Sequence, residues 1–130
     1  MWDAKTTGTN VNIRESADTS SKIKGTIRNK GTSIEVDVSG ASDWLYVEYG
    51  DIKGYISAQY VHVLYGNGGC YVSVNDWLNI RQKPSTSSTA LYRMYNDDAM
   101  TYLYSENGWS RVSSENGTGW AASQYIFRAA

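Results

Sequence analysis

Val11-Asn12-Ile13-Arg14 recurs as Leu78-Asn79-Ile80-Arg81, at an offset of 67 residues. Around this pair, Thr19-Ser20-Ser21 returns as Thr86-Ser87-Ser88 and Asn29 as Asn96, at the same offset. Further along the offset becomes 65. Trp44 meets Trp109, Val47 meets Val112, Gly54 meets Gly119, and Gln59-Tyr60-Val61 meets Gln124-Tyr125-Ile126. Two residues are therefore missing from the second copy between Val38 and Trp44, within Ser39-Gly40-Ala41-Ser42-Asp43. That stretch reads as a loop, where deletions are tolerated. Each unit is too long for a solenoid repeat and suits a minimal domain that buries roughly 60% of its unfolded surface. The 130 residues thus divide into a first module at 1–65, a glycine-rich joint at 66–69 and a second module at 70–130. A joint this short predicts modules in contact.

Within each copy the apolar period is two. Ile34, Val36 and Val38 alternate with Glu35 and Asp37; Leu45 and Val47 alternate with Tyr46 and Glu48. Turn signals separate these runs: Asn29-Lys30-Gly31, Tyr49-Gly50-Asp51, Asn107-Gly108 and Asn116-Gly117. Asp98 falls where the first copy has Gly31. No segment sustains a helical period. The expected fold class is all-β: two tandem small barrels, each of five to seven short strands with one short 3-10 turn.

Composition narrows the function. The net charge is −1, with seven Lys/Arg and eight Asp/Glu in residues 1–65 and five of each in residues 66–130. A nucleic-acid binder would show a basic face, and no Lys/Arg cluster exists. No apolar run approaches a membrane span. Eleven Tyr and five Trp stand against one Phe, which points to rings at surfaces and interfaces as well as in a core. The opening Met1-Trp2-Asp3-Ala4 lacks the features of a signal peptide. The expectation is a protein released with a phage or cut from a longer secreted one.

Both copies resemble the bacterial Src homology 3 domain over nearly their whole length. The resemblance rests on Leu/Val-Asn-Ile-Arg, a Ser/Thr-rich loop, a hydrophobic strand, a Trp-x-x-Val strand, a Gly-aromatic hairpin and Ser/Ala-x-Gln-Tyr-Ile/Val, in that order and twice over. Gly54–Val61 is also similar to the closing segment of eukaryotic relatives. There a proline stands in place of Ser57 and Ala122, a departure that weighs against proline-rich ligands. What the resemblance implies is a targeting module, found in tandem on peptidoglycan hydrolases, phage endolysins and autolysins, where it holds a catalytic lytic domain against the wall. The implied partner is bacterial peptidoglycan, the implied location extracellular or wall-bound, and the chain itself a monomer without catalysis, cofactor or metal. A polymeric, repetitive ligand suits paired weak sites, since linkage raises avidity by roughly 10²–10⁴. The alternative is a protein-interaction module recognising peptide segments through the same groove. Teichoic-acid anchoring would call for a basic surface that this chain lacks.

Strand parity selects the candidate ligand residues. Leu45 and Val47 share the core face, so Trp44 and Tyr46 point the other way, as do Trp109 and Arg111. The resemblance implies that each Trp lines a groove with the Tyr of the closing turn, Tyr60 or Tyr125, beside Gln59 or Gln124. Flat rings among amides and hydroxyls suit sugar faces and peptide stems alike. Alternatively, the Trp residues only cover a barrel edge.

The second copy carries ten aromatic residues against seven. At the 67-residue offset, Tyr102 and Tyr104 replace Glu35 and Asp37, and Tyr92 and Tyr95 replace Gly25 and Arg28. These four rings are expected to dock the first copy, with contact to a ligand or to a further domain as the other possibilities. Arg14 and Arg81 are expected to brace the Ser/Thr loops through loop carbonyls rather than to bind a carboxylate. His62 and Cys70, the sole His and Cys, lie at the junction of the copies without counterparts, which argues against a catalytic pair and against a multi-His zinc site.

Overall fold

The computed structural model describes residues 1–40 and 42–129; Ala41, in the expected Ser39–Asp43 loop, lies outside the described residues. The first module contains β1 (Trp2–Thr6), β2 (Val11–Arg14), β3 (Ile23–Ile27), β4 (Ser33–Asp37), β5 (Trp44–Tyr49), β6 (Ile52–Ser57), a 3-10 turn (Ala58–Tyr60) and β7 (Val61–Val63). The second contains β8 (Gly69–Val72), β9 (Trp77–Arg81), β10 (Ala90–Tyr95), β11 (Ala99–Glu106), β12 (Trp109–Ser114), β13 (Gly117–Ala122), a 3-10 turn (Ser123–Tyr125) and β14 (Ile126–Arg128).

Each module is one seven-stranded antiparallel sheet, ordered β3-β2-β6-β5-β4-β1-β7 and β10-β9-β13-β12-β11-β8-β14. The chain is all-β, with two equivalent topologies in tandem. The sheets are not the closed barrels expected: β3 and β7 end the first, β10 and β14 the second. The terminal β7 and β14 are three residues long, too short to seal a ladder.

Alternation builds the cores. Ile34, Val36, Leu45 and Val47 are buried together with Ile13, Ile56 and Val61, while Glu35 and Asp37 face water. Val72, Ile80, Met100 and Val112 fill the second core. Arg14 Nη1 donates to the Ser21 carbonyl at 2.9 Å, and Arg81 Nη1 to the Ser88 carbonyl at 2.9 Å. Both guanidinium groups thus brace their Ser/Thr loops, as a planar fork of donors suited to loop carbonyls suggested.

The register corrects one pairing of the copies. Val36 lies opposite Val47, and Tyr102 lies opposite Val112, so Tyr102 stands in the place of Val36 rather than of Glu35. The cause is a turn shortened by one residue. Asp97, at φ 69°, takes the left-handed position that Gly31 occupies at φ 83°, so Asp97 rather than Asp98 replaces that glycine. A one-residue slip moves a side chain to the other face of a sheet, and Tyr102 accordingly packs on the second core. A bulge between Tyr102 and Tyr104 restores the count. The bulged Leu103 is driven into the core of the first module, and Tyr104 packs beside it.

The joint is structured. The Asn67 amide donates to the Tyr102 carbonyl and the Tyr102 amide to the Gly68 carbonyl, each at 2.8 Å. Asn67 Nδ2 donates to the Leu103 carbonyl at 2.6 Å.

The modules meet where β7 would otherwise leave an open edge. Ser113 Oγ accepts from the Val63 amide at 2.8 Å, and Thr118 Oγ1 donates to the Val61 carbonyl at 2.7 Å. Hydroxyls from β12 and β13 therefore satisfy backbone groups that a neighbouring strand would normally pair. The equivalent positions of the first module hold a cross-strand pair of charges, Glu48 opposite Lys53. Charges there would be desolvated by docking; Ser and Thr are small and neutral enough to be enclosed.

Candidate functional site

The first module presents a groove of about 590 Å³ between its Ser/Thr loop and the strand end at Trp44. Trp44 enters from the first residue of β5, while Gln59 and Tyr60 come from the 3-10 turn. Trp44 and Gln59 are half-buried and Tyr60 is 42% exposed, so each offers surface to a ligand while being held from below. Gly8 packs against Tyr60: a Cβ there would lie 3.6 Å from its ring.

The loop wall is tied together by Asp18. The Asp18 carboxylate accepts from the Ser21 amide at 2.7 Å and the Ser20 amide at 3.0 Å. Those bonds, the Ser21 amide first, hold its pKa below the ordinary aspartate value, so Asp18 is ionised in the groove. Arg14, Asp18 and Asp43 supply charges of both signs, and Asn10, Asn12 and Gln59 supply amides. Such a surface can stack a sugar face or an apolar side chain on its rings and hydrogen-bond amide, hydroxyl and carboxyl groups around them.

The structure separates the other candidates. Tyr46 lies on the face of the β5–β6 hairpin, its hydroxyl donating to Glu48 Oε2 at 3.0 Å and its ring edge-on to Tyr55 at 6.0 Å. Tyr125 is 38% exposed, but it shares a depression of about 530 Å³ with Trp77, Asn75 and Asp76, not with Trp109. Trp109 is half-buried and Gln124 exposed. Trp44 and Tyr60 thus line one groove together, whereas the Tyr125 depression takes its Trp from β9 rather than from β12.

Arg111 departs furthest from its expected place on the ligand face. It is fully buried at the seam, where Nη1 donates to the Gly40 carbonyl at 2.7 Å and the Val38 carbonyl at 3.3 Å, and Nη2 to the Ser42 carbonyl. Its guanidinium also lies 5.2 Å from the ring centre of the fully buried Trp120. Strand parity pointed Arg111 away from its own core correctly. What lies beyond that face is the other module rather than solvent.

Of the four accessory tyrosines, Tyr104 docks, donating to the Gly40 carbonyl at 2.5 Å and meeting Trp120 edge-on at 5.6 Å. Tyr102 and Tyr92 pack on the second module's own core. The Tyr92 hydroxyl donates to the Gly117 carbonyl at 2.7 Å, and burial raises its pKa. Tyr95 remains 53% exposed.

His62 is half-buried on β7, and Cys70 is buried on β8. Burial pushes the Cys70 thiol up to about 11, which keeps it protonated and a poor nucleophile at neutral pH. Among the described residues, no group of three or more His, Cys, Asp or Glu is placed to hold a metal ion, and no helix is long and apolar enough to cross a membrane.

Sequence reading missed Gln82, Asp43 and Asp18 in the groove, and Leu103, Ser113, Thr118 and Trp120 at the seam. One signal for the seam was available. The Glu48–Lys53 pair becomes Ser113–Thr118 at the offset of 65, a loss of charge that marks the docked hairpin.

No curated protein matches the chain. Among solved structures, it is similar to NlpC2 from Trichomonas vaginalis, 14% identical, with a TM-score of 0.44, over 98% of this chain and 48% of that one. The chain thus spans about half the length of that protein. The family model described as bacterial SH3 domain matches twice, at residues 9–62 and 76–127. These two spans contain both repeats of the Asn-Ile-Arg motif, both Trp-x-x-Val strands and both closing turns, and the chain belongs to the bacterial SH3 domain family as a tandem pair.

Proposed function

We propose that this chain binds peptidoglycan without acting on it, and that it serves, as a monomer on the outer side of the cell, to hold an attached or partner wall hydrolase against its substrate. Bacterial SH3 domains are cell-wall-binding modules, which supports the reading. The single observation that carries it is the groove of about 590 Å³ with Trp44, Gln59 and Tyr60 along it. Rings beside amides match a ligand built of sugars and short peptides, in which apolar faces alternate with amide and hydroxyl groups. The near-zero net charge fits this ligand better than a polyanion, whose binding depends on displaced counter-ions and a basic surface.

The test is a pull-down on purified sacculi with and without their teichoic acids, alongside turbidity of a treated cell suspension. The protein should sediment equally with both preparations, and the suspension should not clear. Binding that vanishes when teichoic acid is stripped would contradict the reading, as would lysis at the rate of a true hydrolase.

A further inference from the structure

Resting on that reading, we infer that the first module's groove is completed by the second module, so that the tandem forms one composite binding unit rather than two equivalent sites. Gln82, which follows β9 of the second module, lines the first module's groove. Its Nε2 donates to Asp43 Oδ2 at 2.6 Å, and Asp43 lies next to Trp44 along the same wall. The second module therefore reaches the ligand surface directly.

It also fixes the wall from behind. The carbonyls of Val38, Gly40 and Ser42, in the segment leading to Asp43, accept from the Arg111 guanidinium, and Gly40 accepts from the Tyr104 hydroxyl as well. Within the first module, the Ser39 amide donates to Asp37 at 2.9 Å, the Trp44 amide to Ser42 Oγ at 3.1 Å and the Ala58 amide to the Asp43 carbonyl at 2.9 Å, so that Arg111 and Tyr104 add the bonds on Val38, Gly40 and Ser42. A segment of Ser and Gly has much conformational freedom to lose when a ligand orders it. Arg111 and Tyr104 remove that freedom before binding, which is how pre-organisation raises affinity. Arg111 is thus a positioning residue, and Gln82 a ligand-side residue contributed in trans by the neighbouring module. The Tyr125 depression, by contrast, is lined by the second module's own residues, Trp77 and Asn96 among them.

Binding isotherms on teichoic-acid-free sacculi test this with the full chain and the variants Trp44→Ala, Gln82→Ala, Tyr104→Phe and Arg111→Met. Circular dichroism at the binding temperature reports folding in each case. Gln82→Ala should bind about fivefold more weakly, the worth of one hydrogen bond, with its melting temperature nearly unchanged. Arg111→Met should lose about tenfold or more in affinity while its dichroism remains native, an effect that a purely structural role would not produce. If Arg111→Met does not fold, Gln82→Ala and Tyr104→Phe carry the test, with Tyr104→Phe about twofold weaker. Trp44→Ala separates the two claims. Loss of binding in Trp44→Ala with wild-type binding in Gln82→Ala and the folded seam variants would overturn the composite unit and leave the groove intact. Wild-type binding by Trp44→Ala would remove the groove itself, and the inference with it.

Discussion

Arg111 shows how one side chain converts a repeat into an assembly. Its planar fork of donors matches three converging carbonyls, an arrangement that a lysine's single ammonium cannot reproduce. Burial pulls its pKa down, and Tyr104, Asp43 and Glu106 partly oppose that shift, so it stays charged in the seam. Removing the guanidinium would strip this donor from the Val38 and Ser42 carbonyls, while Gly40 would keep the Tyr104 hydroxyl. Arg111→Met should therefore destabilise the fold by about 2–3 kcal/mol, measured by urea denaturation, and an unchanged midpoint would show that the carbonyls find other donors. Cys70 offers a second check at this scale. With its thiol raised to about 11 and its side chain buried, the native protein should react with iodoacetamide at pH 8 far more slowly than the urea-unfolded chain. Equal rates would mean that β8 is open to solvent. Strand parity read from the sequence located the outward faces of Trp44 and Arg111 correctly. It could not reveal that one face meets a cavity and the other a neighbouring module, because that depends on docking at long range.

At the scale of elements, the second module's hairpin of β12 and β13 is adapted to its neighbour. Gly117 sits at φ 121°, and a Cβ there would lie 2.2 Å from the Gln59 carbonyl oxygen. Gly117→Ala should cost at least about 2 kcal/mol of stability and loosen the seam. A thermal melt identical to wild type would mean that the hairpin is not pressed onto the Ala58–Tyr60 turn. The same glycine records an exchange between the copies. In the first module Gly25 is overlaid by Ile52, whose Cδ1 would lie 2.7 Å from an added Cβ. In the second module Tyr92 replaces Gly25 and Gly117 replaces Ile52, so large and small have changed strands while the volume between them remains filled. The sequence showed the added tyrosine but not its compensating glycine 25 residues away. Tyr92 therefore read as a surplus ring in search of a partner. The register of β11 was hidden for a related reason. A turn shortened at Asp97 and a bulge at Leu103 cancel in the residue count, so a constant offset carried Tyr102 to the wrong face. The alternation, the turns and the two-residue deletion were legible because each depends only on neighbours in the chain.

For the whole molecule, the seam joins a bulged leucine, a buried Arg–Trp pair and hydroxyls that close an edge strand. Modules coupled this closely should unfold in one cooperative transition, and two resolved calorimetric peaks would contradict that expectation. His62, the sole histidine, lies half-buried beside the seam on β7. Burial lowers its pKa below 6.5, and the negative charge of Glu115 only partly opposes this. The unfolded chain therefore binds the proton more readily, so the stability linked to neutral His62 is complete above about pH 6.5 and declines as the pH falls below it. Titration of the melting temperature from pH 7.5 to 5 should show a decline that His62→Gln removes; parallel curves would exclude this linkage. Because the two copies are unequal, binding to the wall should be unequal as well. The most direct test is the affinity of Trp44→Ala and Trp109→Ala for teichoic-acid-free sacculi, each confirmed folded by circular dichroism. Trp44→Ala should weaken binding by at least about thirtyfold, the cost of truncating a ring at the centre of a site, and Trp109→Ala by much less. A folded Trp44→Ala protein that binds sacculi as tightly as wild type would contradict the account.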